Sequence, residues 1–163
     1  MPWCVPDFET ASMNDLKRSG SRRYAEDVTT EILCLNVEFQ PDGEIVRWYP
    51  GDPIPPRIAA AIADPTMQWV AHNAGFEKDI WRQILVPYFG WPDVPNSRWH
   101  CTQAMCAMRV IHQDLESAVR VLRLPHQKEM EGNKLTLSLS KVDKKTGMLP
   151  PRTPEILQRV IEY

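Results

Sequence analysis

The fold class is decided by residues 31–49, which read Glu-Ile-Leu-Cys-Leu-Asn-Val-Glu-Phe-Gln-Pro-Asp-Gly-Glu-Ile-Val-Arg-Trp-Tyr. Two runs rich in β-branched, aliphatic and aromatic residues flank Pro41-Asp42-Gly43, a sequence typical of a turn. This pattern predicts a β-hairpin with strands over 31–39 and 44–49. Before this hairpin, the pattern of residues 3–9 predicts another strand, although Pro6 inside it favours a sheet edge or an irregularity.

Further along the chain the pattern changes from strands to helices. Residues 11–29 are polar and predict turns, and residues 50–56 and 86–99 predict proline-containing loops. One more strand is predicted over 67–71, and residues 125–152 show no regular pattern. Helices are predicted over 57–63, 74–85, 102–111, 114–123 and 154–163. Early strands followed by helices predict an α/β fold, a mixed β-sheet flanked by helices, in one domain spanning 1–163.

Length and composition agree with one globular domain. The chain has 163 residues, 43% of them hydrophobic, and no apolar run approaches the roughly 20 residues of a membrane span. No leader resembling a signal peptide is visible, so we expect a soluble, cytoplasmic protein with no membrane partner. Its four cysteines are dispersed, which indicates buried free thiols in a reducing compartment. The net charge of −2 leaves nucleic-acid binding open, because bound cations can supply positive charge locally.

Asp7-Phe8-Glu9 is the first pattern that suggests chemistry. Strand side chains alternate between faces, so Asp7 and Glu9 are predicted to point the same way and Phe8 the opposite way. Two neighbouring carboxylates repel each other, and a hard divalent cation such as Mg²⁺ removes that repulsion. A solvent-facing acidic pair on an edge strand is the alternative interpretation.

A third acidic residue, Glu77, belongs to the helix predicted after the 67–71 strand. Asn73 is predicted to cap this helix. Helical spacing places Glu77 on the packed side with Ile80, and it places Asp79 on the solvent side. A carboxyl group on a packed face is unfavourable unless it is paired or bound to a metal, so Glu77 is a ligand, part of a structural ion pair, or at the periphery of that face.

Together these segments resemble a known enzyme family. Asp7-Phe8-Glu9-Thr10 and Asn73-x-x-Phe76-Glu77 resemble the first two motifs of the DnaQ-like (DEDD) superfamily of 3′→5′ exonucleases. Nearly the whole chain is similar to the exonuclease domains of phage DNA polymerases related to bacterial DNA polymerase I. The supporting stretches are Asp15-Leu16-Lys17, Arg23-Tyr24-Ala25-Glu26-Asp27, Thr30-Glu31-Ile32-Leu33-Cys34-Leu35 and Trp99-His100-Cys101-Thr102.

The resemblance implies a ribonuclease-H-like fold and two divalent cations, Mg²⁺ or Mn²⁺, held by Asp7, Glu9 and Glu77. It implies a proofreading exonuclease that removes nucleoside 5′-monophosphates from a single-stranded DNA 3′ end. Asn73 and Phe76 are candidates for holding the terminal nucleotide and Thr10 for contacting its sugar or phosphate, although core packing is the stronger interpretation for Phe76. A basic segment at 17–23 is predicted either to contact the DNA backbone or to be a solvated loop.

The family's third motif is a tyrosine followed four residues later by a metal-binding aspartate on one helix. Tyr163 stands at the position of that tyrosine and is expected to orient the attacking water. The aspartate would lie beyond the last residue, so the domain is expected to be cut short before it, with a polymerase domain of the same polypeptide downstream. A histidine-type site is not supported, because Glu162 occupies the position where that branch has histidine.

Two other functions remain open from the sequence. One is an RNA-trimming exonuclease of the ribonuclease D type, in which a helical RNA-binding domain would follow instead of a polymerase. The other is a non-catalytic DNA-binding remnant of the exonuclease fold, which the absent aspartate favours and the intact Asp7, Glu9 and Glu77 oppose.

Overall fold

The computed structural model describes residues 1–124, 142, 146 and 148–150. Its strands are β1 Trp3–Ala11, β2 Glu31–Gln40, β3 Glu44–Trp48, β4 Gln68–Ala71 and β5 Trp99–Cys101. Its helices are α1 Leu16–Glu26, α2 Pro56–Ala63, α3 Ala74–Ile80, α4 Val86–Phe89, α5 Thr102–Met108 and α6 Leu115–Val121. A π-helical turn at Trp81–Leu85 joins α3 to α4, and a 3₁₀ turn at Asn96–Arg98 precedes β5. None of the helices in this part of the chain combines the length and the apolar character of a bilayer-crossing segment.

The five strands form one mixed sheet in the order β3-β2-β1-β4-β5. The predicted hairpin is present as β2 and β3, and β2 also pairs antiparallel with β1. On the other side, β4 pairs parallel with β1, and β5 pairs parallel with β4. This arrangement confirms the predicted α/β class, a ribonuclease-H-like mixed sheet flanked by helices.

Pro6 lies in the central strand of this sheet rather than at an edge. Its antiparallel partner on β2 is Val37, but the parallel ladder to β4 involves only Trp3 and Cys4. Pro6 is therefore paired on one side only, which removes the usual objection to proline inside a sheet.

The core is organised around Trp81, which is fully buried in the π-helical turn. Its ring meets Phe8 of β1 at a centroid distance of 6.3 Å and Trp69 of β4 at 5.0 Å. Trp91 and Trp99 complete the contacts at 5.5 and 6.1 Å. Edge-to-face aromatic pairs at these separations are favourable beyond their buried area, so this cluster fixes α3 and the following turn against the sheet.

Two predictions about local structure are wrong. Residues 16–26, predicted to be turns, form α1, which begins where Asp15 accepts a 2.9 Å hydrogen bond from the Lys17 amide. Only Tyr24 and Ala25 of this helix are buried, so its apolar periodicity is too weak to be recognised in the sequence. The predicted loop 86–99 contains helix α4 and the first residue of β5, and a strand of three residues depends on its pairing with β4 rather than on its own pattern.

Gly20 interrupts α1 with φ 77° and ψ 166°, a backbone conformation accessible almost only to glycine. A Cβ at this position would meet nothing within 4 Å, so the Gly20→Ala change adds backbone strain and no clash. We expect it to lower the free energy of unfolding by about 1–3 kcal/mol, as measured by urea denaturation. Gly75→Ala is the matched control, because Gly75 lies in α3 and its added Cβ would make an ordinary 3.7 Å contact with Asn73 Oδ1. Equal effects of the two changes on stability would contradict this account of the kink.

Candidate active site

Strand β1 presents Asp7 and Glu9 on one face of the sheet. Phe8, between them, is 5% exposed on the opposite, core face. The antiparallel register places Asn36 opposite Asp7 and Cys34 opposite Glu9, so these four side chains share a face. The register shifts immediately after Glu9, and such irregularities re-aim side chains at the end of a strand. The same-face prediction for the two carboxylates is thus confirmed.

The buried Cys34 thiol lies within the electrostatic influence of both carboxylates. Its pKa is raised to about 12, mainly by burial and then by the negative charges of Glu9 and Asp7. Arg47 of β3 acts in the opposite direction on the same thiol. Two acids and one cation therefore surround one buried group on this face of the sheet.

Glu77 is buried on α3, directly after β4, as the helical spacing predicts. Its side chain is 6% exposed, and its Oε2 has no hydrogen-bond partner among the described residues. The pKa of Glu77 is raised to about 8, mainly by burial and to a smaller extent by the negative charge of Asp7, while a backbone hydrogen bond to Glu77 lowers it. The structure therefore brings Glu77 within electrostatic reach of Asp7 and leaves one buried carboxyl oxygen available to a ligand.

The chemistry of these oxygens suits a hard divalent cation, which prefers carboxylate ligands and relieves repulsion between them. An unpartnered buried oxygen on Glu77, close to Asp7, is an observation that fits such a ligand. Within residues 1–124 and the few described after them, however, no three His, Cys, Asp or Glu side chains gather as a metal-binding group. The assignment of Asp7, Glu9 and Glu77 together to metal ions stays a prediction.

Thr10 and Phe76, the predicted substrate contacts, both touch a residue whose role the sequence did not reveal. The Thr10 hydroxyl, 7% exposed, lies 3.0 Å from the buried Tyr24 hydroxyl, and the Phe76 ring lies 6.1 Å from the Tyr24 ring. Tyr24 thereby connects β1, α1 and α3 behind the carboxylates. The contacts favour a packing role for Phe76, and substrate binding by either residue stays a prediction.

Asn73 does not cap α3 in the predicted way. It occupies the position before the helix, but its backbone is left-handed (φ 68°, ψ 49°) and its side chain makes no capping hydrogen bond. In a usual N-cap the backbone is extended, which turns the side-chain oxygen toward the first helical amides. Here the Asn73 side chain is exposed instead, and its contact with a nucleotide remains untested.

Asp79 is not a simple solvent-facing residue, contrary to the prediction. It is half-buried and accepts a 2.5 Å hydrogen bond from the Ser21 hydroxyl of α1. The prediction failed because α1, which covers this side of α3, was not recognised in the sequence. Tyr163 and the predicted helix 154–163 lie outside the described residues.

The comparisons with known proteins support the fold. The chain is similar to a solved structure described as the apo form of the nuclease, with a TM-score of 0.52 and 16% sequence identity. The match covers 98% of this chain and 64% of that chain, so this chain spans less than two thirds of that nuclease. No protein-family model matches the chain. No curated protein matches it. Fold and comparison together define an α/β chain whose fold is similar to that of the matched nuclease structure.

Proposed function

We propose that this chain is a divalent-metal-dependent nuclease that hydrolyses phosphodiesters at the 3′ end of single-stranded DNA. In the finer form of the proposal it is the 3′→5′ proofreading exonuclease domain of a DNA polymerase, with the polymerase domain on the same polypeptide. The products are nucleoside 5′-monophosphates.

The observation that carries the proposal is the buried Glu77 carboxyl. Its Oε2 lacks a hydrogen-bond partner among the described residues, and the charge of Asp7 opposes its ionisation. Such a group is unfavourable in a folded protein unless a cation pairs with it. Buried acids with strongly shifted pKa values are concentrated at functional sites. The nuclease-like fold supports a phosphodiester as the substrate of this site.

In this proposal, the chain's own groups have separate tasks. Asp7, Glu9 and Glu77 would hold two divalent cations, Mg²⁺ or Mn²⁺, and Tyr163 would orient the attacking water. The cations would supply positive charge that activates water and stabilises the leaving 3′ oxygen. Burial of Glu77 keeps bulk water away from one side of the site, which strengthens electrostatic interactions there. Tyr24, through Thr10 and Phe76, would hold β1 and α3 at a constant separation.

The test is digestion of single-stranded DNA labelled at the 3′ or the 5′ end, with Mg²⁺ or Mn²⁺. The 163-residue chain is assayed beside the longer product of its reading frame, where the gene continues. We expect release of labelled mononucleotide from the 3′ end only, and loss of that release when Asp7→Ala and Glu9→Ala are combined. A 3′-labelled RNA strand included as a second substrate separates DNA proofreading from RNA trimming.

Asp79→Asn is the matched control, because Asp79 lies on the same helix as Glu77 and is held by Ser21 rather than by the candidate site. It should retain the wild-type rate. Full activity of the Asp7→Ala, Glu9→Ala double variant would refute the proposed site. Absence of metal-dependent cleavage by both the chain and its longer product would refute nuclease function.

A further inference from the structure

A row of three polar side chains crosses the sheet at the candidate site. Asp7 on β1 lies opposite Asn36 on β2, and Asn36 lies opposite Arg47 on β3. Directly opposed residues of antiparallel strands present their side chains on the same face, so the carboxylate, the amide and the guanidinium are on one side of the sheet. Two strand spacings put the backbones of Asp7 and Arg47 about 10 Å apart.

The electrostatics of Cys34 link Arg47 to the carboxylates independently of the register. The pKa of this buried thiol is raised by the negative charges of Glu9 and Asp7 and lowered by the positive charge of Arg47. All three charges therefore act at one point beneath the same face. Arg47 is the cation that faces the candidate carboxylates from the hairpin.

Arg47 differs from three other arginines of the domain in its partners. Arg57, Arg82 and Arg98 are bound to acidic side chains or to backbone carbonyls. Arg47 is exposed and, among the described residues, takes part in no salt bridge. Nor is the amide beside it satisfied, because Asn36 Oδ1 is buried without a hydrogen-bond partner among those residues. The row thus offers one positive donor group, Arg47, next to the acids, whereas Asn36 Oδ1 is an acceptor and suits a cation or a donor group rather than a phosphate oxygen.

We infer that Arg47 is a substrate-binding residue. Its guanidinium holds one backbone phosphate of a nucleic-acid strand, while another phosphodiester of the same strand lies at Asp7, Glu9 and Glu77. This inference rests on the proposed function and adds a direction to it, because the bound strand runs from β1 across β2 toward β3. A separation of about 10 Å corresponds to about three nucleotides at the 3.4 Å rise of a helical strand, and to fewer in an extended strand. Arginine suits this task because its planar guanidinium binds two phosphate oxygens at once.

A phosphate contact has a signature that is separate from catalysis. Each phosphate that a protein neutralises on a single strand contributes about −0.7 to the slope of log affinity against log salt concentration. The measurement is fluorescence anisotropy of a labelled oligothymidylate of about ten nucleotides bound to the full chain, in EDTA to prevent cleavage. It is repeated over a range of NaCl concentrations for the wild type, Arg47→Ala, Arg47→Lys and Arg109→Ala.

We expect Arg47→Ala to weaken binding about three- to tenfold and to make the salt slope shallower by about 0.7. Arg47→Lys should keep most of the slope, because it keeps the charge. Arg109→Ala is the control for net charge, since Arg109 is exposed at the end of α5, and it should resemble the wild type. Binding by the wild type with an unchanged affinity and slope in Arg47→Ala would overturn the Arg47 assignment alone. Failure of the wild type and of Arg109→Ala to bind the strand would overturn this assignment, whereas the proposed nuclease function is judged separately by the digestion assay with Mg²⁺ or Mn²⁺.

Discussion

The Glu77→Gln variant is expected to lose the proposed nuclease activity by about a hundredfold or more and yet to be more stable than the wild type above pH 8. Activity falls because the amide keeps the shape of the side chain but removes the negative charge that a cation requires. Stability rises because the wild-type carboxylate is buried beside Asp7 and the neutral amide is not repelled by that charge.

The direction of the pH dependence follows from the two states of the wild-type protein. The pKa of Glu77 is about 8 in the folded protein and near its ordinary value of 4.5 in the unfolded chain. Folding therefore retains a proton that unfolding releases, so the contribution to stability is fully present below about pH 4.5. It is lost as the pH rises through about 8, and the total loss is on the order of 5 kcal/mol.

Urea denaturation of the wild type, Glu77→Gln and Asp79→Asn at several values between pH 5 and pH 9 measures this effect. The wild type and the Asp79→Asn control should lose stability across this interval, whereas Glu77→Gln should lose much less. Addition of Mg²⁺ or Mn²⁺ at pH 8 should stabilise the wild type and not Glu77→Gln, since a cation that binds only the folded state raises its stability. Parallel pH profiles for the wild type and Glu77→Gln would show that Glu77 does not carry the effect.

Replacement of Arg98 by alanine is expected to lower the free energy of unfolding by about 3–5 kcal/mol. Arg98 is 8% exposed, and its guanidinium donates to the carbonyl oxygens of Met67, Ile62 and Ala61 at 2.9, 2.8 and 2.6 Å. The last two oxygens belong to the final turn of α2, whose carbonyls have no partner within the helix and carry its negative dipole end. The alanine variant leaves three carbonyls without their donor, and each loss is unfavourable by about 1–3 kcal/mol before water enters.

Thermal and urea denaturation monitored by circular dichroism measure this loss. Arg98→Lys keeps the charge but not the fork of donors, so its stability should lie between those of the wild type and Arg98→Ala. Arg18→Ala removes a highly exposed pair with Asp15 and should change stability by less than about 0.5 kcal/mol. If the stability of Arg98→Ala lies within about 0.5 kcal/mol of the wild type, water replaces the guanidinium as hydrogen-bond donor without a loss of stability, and the prediction is wrong.

The outline of the fold could be predicted from the sequence because it depends on strong local patterns. The hairpin of β2 and β3 has apolar runs on both sides of a turn sequence, and the alternation in Asp7-Phe8-Glu9 placed two acids on one face. The helical spacing of Glu77 with Ile80 predicted that Glu77 is buried. These features could be predicted because each depends on backbone periodicity over a few residues.

Features that depend on contacts between distant residues could not be predicted. Helix α1 was missed because it buries only two residues, and its cover over α3 turned Asp79 into a hydrogen-bonded residue. The hydrogen bonds of Arg98 could not be predicted because its three carbonyl partners lie more than thirty residues earlier in the chain. Tyr24 belongs to a stretch that resembles the family, but its position between Thr10 and Phe76 depends on the packing of α1 beside α3.

By itself the sequence determined the α/β class and the hairpin, because side-chain periodicity is a local property, and its resemblance to a family predicted the three acidic residues on which the proposed function depends. The tertiary structure alone decided which of these acids is energetically strained. Glu77 lies near Asp7 in a buried environment without a hydrogen-bond partner for Oε2 among the described residues, and its pKa depends on that desolvation. The register of the sheet likewise placed Arg47 in the same row as Asp7, forty residues away, because pairing of β1, β2 and β3 is a long-range interaction.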